Sequence, residues 1–239
     1  VIILRSILFN IAFYANLVLF LVVGFPFMFA PRIWAIRALQ AWARVSQFLL
    51  RIICNIHVEL KHKERIPKGP LLVAAKHQSL FETFALLPLF DDPAMVIKRE
   101  LSWIPLFGWF ALKFKMIAVN RSARTQALKD MIRQAKVARD HGRQIIIFPE
   151  GTRSNPGAEP DYKSGAAGLY MALDLPCVPI ALNSGLYWPR RQFIRNPGTI
   201  TIEILPPIKP HLKRADFMAR LESSIETATR ALERKENSR

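Results

Sequence analysis

The chain has 239 residues, 51% of them hydrophobic, and 34 Lys and Arg against 18 Asp and Glu give it a net charge of +16. That length supports one substantial core or one domain with an appendage, and so much apolar content implies lipid contact. The charge calls for a polyanionic partner (nucleic acid, an anionic bilayer or a phosphorylated substrate), while two lone cysteines, Cys54 and Cys177, exclude a disulfide framework or a cysteine metal cluster and point to a reducing compartment.

The chain starts at Val1 rather than Met, which suggests that a short leader is missing. No charged residue occurs between Arg5 and Arg32. This interval exceeds the roughly 20 residues a spanning helix needs, and it is too long for a secretory signal. Gly24, Pro26 and Pro31 interrupt its end, so a span and a re-entrant hairpin both fit, and either places the segment in lipid. Residues 34–54 then read as a helix whose polar positions, Arg37, Gln40, Arg44, Gln47 and Arg51, form one stripe on an apolar surface. Such a stripe suits an interfacial helix whose guanidinium groups reach lipid phosphates; the alternative is a core helix with one exposed edge. Cations cluster after the apolar interval, which puts the bulk of the chain in the cytosol by the positive-inside rule.

From Ile56 the pattern turns to alternating strands and helices. Residues 56–60 read as an edge strand, and further strands are predicted at 71–75, 95–98, 116–119, 144–148, 177–182 and 199–204. Helices are predicted at 123–141, 165–173 and 214–234, with fraying from Lys235. This is an α/β class: a mixed, largely parallel sheet flanked by helices, behind an N-terminal apolar and amphipathic anchoring segment. The division expected is a membrane-anchoring region over 1–55 and a catalytic domain over 56–239. In such sheets ligands gather at the carboxyl ends of the strands.

Two of those ends carry chemistry. After the run at 71–75 come His77 and, five residues on, Glu82, where a turn into a helix can fold the carboxylate back onto the imidazole. The same residues also fit a plain capping box, with Ser79 three residues before Glu82. After the run at 144–148 comes Pro149-Glu150-Gly151-Thr152-Arg153-Ser154. Gly151 admits close backbone approach, Thr152 and Ser154 offer hydroxyls, and Arg153 presents the planar fork suited to a phosphate. An ordinary polar turn with a solvated arginine is the bland alternative.

Together these blocks resemble the glycerolipid acyltransferase family, most closely its 1-acyl-glycerol-3-phosphate acyltransferases. The resemblance rests on His77 with Glu82 and on the string from Phe148 to Ser154. Lys98-Arg99-Glu100-Leu101, Pro105, Gly108 and Val119-Asn120-Arg121 between them also match, as does Val178-Pro179-Ile180-Ala181 beyond. It covers residues 71–182. Two positions depart from the pattern: Glu82 replaces the usual Asp, and Asn120 stands where an Asp is usual, so no catalytic work is assigned to it.

The resemblance implies transfer of a fatty acyl group from a thioester of coenzyme A or of acyl carrier protein to a lysophospholipid hydroxyl. His77 would be the base and Glu82 its orienting partner. Arg153 would clamp the acceptor phosphate, with Lys98 and Arg121 as second contacts. Glu150 would help position the glycerol backbone, with Gly151 and Thr152 beside it. No cofactor and no metal is implied beyond the acyl donor. Implied partners are the lysophospholipid, the thioester, an anionic membrane surface and possible carrier protein, at the cytoplasmic side of a bacterial inner membrane. Glycerol-3-phosphate or a lyso-aminolipid are alternative acceptors. A nucleic-acid binder lacks any recognition motif, and a hydrolase lacks a serine or cysteine nucleophile motif. A catalytically silent interaction protein would not need His77 and Arg153.

Overall fold

A computed structural model describes residues 1–120 and 124–237. The run Leu71-Leu72-Val73-Ala74-Ala75 is apolar throughout because strand β2 (Leu71–Ala75) has neighbours on both edges and helices over both faces. With β1 (Ile56–Lys61), β3 (Pro93–Lys98), β4 (Ile117–Val119), β5 (Gln144–Ile147), β6 (Cys177–Leu182) and β7 (Gly198–Ile204) it forms one seven-stranded sheet, ordered β1-β7-β6-β2-β5-β3-β4. Every pair is parallel except β6 with β7, so the expected mixed, largely parallel sheet is what forms. Alternate side chains of β2 feed two cores. Leu71, Val73 and Ala75 point to one, and Leu72 and Ala74 to the other.

The second core is closed by α5 (Arg124–Asp140), α6 (Gly165–Leu173) and α8 (Arg214–Asn237), through Met131, Leu169, Phe217 and Leu221. Helix α8 continues through Lys235, where fraying was expected. The first core is closed by α1 (Ile2–Val23), α2 (Arg32–Cys54) and the short α3 (Phe81–Ala85). Helix α1 stops at Gly24, before a 3-10 turn over Phe25–Met28 that contains Pro26; α2 starts after Pro31 and ends on left-handed Asn55.

Helix α1 is long and apolar enough to cross a membrane. Yet its inner edge, Ser6, Phe9 and Phe13, is buried against the domain, with Phe9 edge-on to Trp188 at 5.3 Å and Phe13 tilted on Phe84 at 5.6 Å. Residues of α1 and α2 therefore share one core with the sheet. The polar stripe on α2 divides as well. Arg37, Arg44 and Arg51 are exposed, but Gln40 turns inward and donates to the carbonyls of Leu87 and Phe90. One face of α2 builds the core, and its outer face carries the arginines among Trp34, Val45, Phe48 and Ile52.

Arg32, at the start of α2, grips Asp92 with both guanidinium nitrogens, at 2.5 and 2.6 Å. Arg143 reaches the same carboxylate at 3.1 Å. Burial pushes the Asp92 carboxyl up, but the hydrogen bond from Arg32 and the charges of Arg143 and Arg32 outweigh it and hold the group below its ordinary range.

Candidate active site

Because β6, β2, β5, β3 and β4 run parallel, the loops after them all leave the same edge of the sheet. Ala74 lies opposite Ile147, so the turn after β2 and the loop after β5 emerge side by side. They interlock through the backbone of His77. Its N–H donates to Glu150 Oε2 at 3.0 Å, and its carbonyl accepts the Ser154 N–H at 2.8 Å and the Ser154 hydroxyl at 3.2 Å. The imidazole stacks on Phe148 with centroids 4.1 Å apart.

His77 Nδ1 lies 2.9 Å from Glu82 Oε1. That oxygen also accepts the backbone N–H groups of Gln78 and Ser79, each at 2.6 Å, while Oε2 accepts the Ser184 hydroxyl at 2.8 Å. Ser79 Oγ in turn accepts the Phe81 N–H at 3.0 Å. Glu82 thus holds the turn that leads into α3 and partners the histidine at once, and its extra methylene reaches the ring without a break in the turn. The carboxylate is fully buried, whereas the His77 side chain is 14% exposed. With Nδ1 held by a carboxylate, Nε2 is left to face a substrate and take up a proton.

That exposed part of His77 opens on a cavity of about 870 Å³. Its wall is mainly apolar, drawn from α1, α2, α3, β3 and the loop after β5, with members of both cores. Tyr14, Phe20, Trp42, Phe84, Phe110 and Met131 give its character. Glu150, Gly151 and Thr152 line it beside His77, as does Lys98 at the end of β3, whose amine is 3.4 Å from Glu100. Gly151 has φ +67, a left-handed conformation that a side chain would strain. Arg153, next in the loop, is half-buried, and its guanidinium has no hydrogen bond or ion pair among the described residues. Arg121 lies outside the described residues.

Glu150 is buried, and both its oxygens hold the turn after β2: Oε2 takes the His77 N–H and Oε1 takes Lys76 Nζ at 2.8 Å. Lys76 also donates to Glu226 Oε1 at 2.7 Å, which accepts the Tyr162 hydroxyl at 3.0 Å. Burial alone would lower the Lys76 amine, but the hydrogen bonds and charges of Glu150 and Glu226 raise it above its ordinary value, so it stays charged. Gln78 is fastened by Glu233 at 2.7 Å and by the Gly185 N–H at 3.0 Å. Sequence reading missed Lys76, Gln78, Ser184, Glu226 and Glu233. The one local signal was a lysine closing an otherwise apolar strand, where a buried charge demands a partner. Among the described residues no group of three or more His, Cys, Asp and Glu could hold a metal ion.

An imidazole–carboxylate pair over an apolar cavity, at the switch from strand to helix, suits acyl transfer to a hydroxyl. The acyltransferase family model matches residues 57–183, just over half of the chain, and the chain belongs to that family. It is similar to the 1-acyl-sn-glycerol-3-phosphate acyltransferase of Pseudomonas aeruginosa, 39% identical over 167 residues, covering 70% of this chain and 65% of that one. The mouse protein named 1-acyl-sn-glycerol-3-phosphate acyltransferase alpha is 26% identical over 225 residues, 91% of this chain and 77% of its own. The fold matches the crystal structure of the 1-acyl-sn-glycerophosphate (LPA) acyltransferase PlsC from Thermotoga maritima, with TM-score 0.78 at 22% identity, covering 96% of this chain and 97% of that one. The matched stretch thus spans just under two thirds of the Pseudomonas relative.

Proposed function

We propose that this chain moves a fatty acyl group from a thioester to the free sn-2 hydroxyl of 1-acyl-glycerol-3-phosphate at a membrane surface, giving phosphatidic acid. The observation that carries this is the buried Glu82 carboxylate 2.9 Å from His77 Nδ1, with His77 lining the apolar cavity. His77 Nε2 takes the proton of the acceptor hydroxyl as its oxygen attacks the thioester carbonyl. The C–O bond forms, the C–S bond breaks, and the proton passes from His77 to the departing sulfur. Glu82 holds the ring in the Nδ1–H form and opposes the charge of the imidazolium. Glu150 acts through the backbone of His77, and Gly151, Thr152 and Arg153, with Lys98 and Arg121, receive the acceptor phosphate. The apolar cavity suits acyl chains.

The net charge of +16 and the exposed arginines of α2 suit an anionic leaflet and an anionic donor, whether coenzyme A or acyl carrier protein. In this reading α1 and α2 seat the enzyme on the cytoplasmic side of a bacterial inner membrane, with no cofactor and no nucleic acid.

Purified protein assayed with lysophosphatidate, glycerol-3-phosphate and a lyso-aminolipid, each with both donors, should turn over lysophosphatidate fastest. Faster turnover of either other acceptor reassigns the substrate. Arg153→Ala should raise the KM for lysophosphatidate about tenfold or more, the loss of one charged phosphate contact, with little change in the donor KM. An unchanged acceptor KM would move the phosphate site elsewhere.

A further inference from the structure

The apolar surface does not end with the N-terminal helices. Residues 101–112 form a stretch of twelve without a charge, spanning most of a 3-10 turn and helix α4 (Phe107–Lys113). Leu101, Trp103, Ile104, Trp109 and Leu112 project outward, Trp103 and Leu112 being 68% and 67% exposed. A cluster of that size on a surface marks a partner, because isolated apolar side chains are ordinary and contiguous ones are not.

The stretch is built rather than loose. An added Cβ at Gly108 would sit 2.0 Å from the Ser102 carbonyl oxygen, so the glycine lets α4 close onto the 3-10 turn. The same stretch also lines the cavity, through Leu101, Ile104, Phe107 and Phe110. Across that cavity stands α1. Phe110 of α4 lies 5.3 Å from Phe20 of α1, and Lys113 Nζ donates to the carbonyls of Met28 and Ala30 in the connection between α1 and α2. Both α1 and α4 thus line the cavity, and both also carry exposed apolar side chains, Val18, Leu19 and Val22 on one and Trp109 and Leu112 on the other.

Charge identifies the partner. Exposed Lys98 and Arg99 precede the uncharged stretch and exposed Lys115 follows it, with Glu100 already beside Lys98. Two tryptophans within an apolar stretch flanked by cations suit the boundary between acyl chains and anionic headgroups.

We propose that residues 101–112 insert into the same leaflet as the N-terminal helices, as the second lip of the cavity. Acyl chains then pass from bilayer to active site between α1 and α4 without crossing water. This rests on the reading that the enzyme works at a membrane.

Cys54 and Cys177 make the test clean. Both are buried, and burial pushes the Cys54 thiol up to about 11 and the Cys177 thiol higher still, so neither takes a thiol-directed label readily. Nitroxides can be placed on the full chain at Trp103→Cys and Leu112→Cys on the lip, Val18→Cys on α1 and Val137→Cys on exposed α5. With vesicles of phosphatidylglycerol and phosphatidylethanolamine, labels at 103 and 112 should collide severalfold more with oxygen, relative to an aqueous nickel chelate, than the label at 137, as should the label at 18. If 103 and 112 read like 137 while 18 reads lipid, the second lip is wrong and membrane seating stands. If all four read as water, membrane seating falls and the lip with it.

Discussion

His77→Ala lowers acyl transfer by about a hundredfold or more, the usual consequence of losing a general base, while the protein stays folded. The structure explains why the fold should survive. Removing the imidazole strips one donor from Glu82, but the amides of Gln78 and Ser79 and the hydroxyl of Ser184 still hold the carboxylate. The turn keeps its shape, because Glu150 and Ser154 bind the backbone of residue 77 and not its ring. What disappears is an interaction made with the acceptor proton in the transition state, so kcat falls while both KM values stay close to wild type. Steady-state kinetics on protein with an unchanged melting curve decides it. Activity within a few-fold of wild type would remove His77 from the mechanism.

Periodicity and bounding residues made single elements legible, and physics acting over long separations hid the rest. Strand β6 and helix α6 were readable to the residue, because Pro176 opens one apolar run and Asp174 closes the other. That β7 pairs antiparallel with β6 and parallel with β1 was not, since an apolar strand carries no mark of its neighbour. The stripe on α2 gave the right spacing but not which member faces inward, as Gln40 shows. His77, Glu82 and the Gly151 loop could be placed because each lies within a few residues of a strand end. Lys76 meets Glu226, and Gln78 meets Glu233, about 150 positions away on α8, a pairing that no local pattern announces. The resemblance assigned Glu150 to the substrate, while its buried oxygens turn to Lys76 and to the amide of His77.

Glu82→Gln separates the cap from the catalytic partner more sharply than the spacing alone could. Three N–H groups converge on Oε1: two backbone amides and the imidazole. A glutamine must put its oxygen there, because its NH2 would face donors. That leaves the NH2 toward Ser184, whose hydroxyl can rotate and accept. The hydrogen-bond count therefore nearly survives, and so does the Nδ1–H form of His77. The charge does not. Hydrogen bonds to a charged acceptor are stronger than those to a neutral one, so stability should fall by about 1–2 kcal/mol, lowering the melting temperature by a few degrees. Catalysis should fall far more, toward the level of His77→Ala, since the imidazolium formed at proton transfer loses its opposing charge in a buried site. Glu82→Asp restores the charge but retracts it by one methylene from four donors fixed to β2, the turn and the loop after β6. Its activity should lie between wild type and Glu82→Gln, with stability lowered as well. Full activity in Glu82→Gln would mean that the carboxylate serves only to start the helix and that another group orients His77.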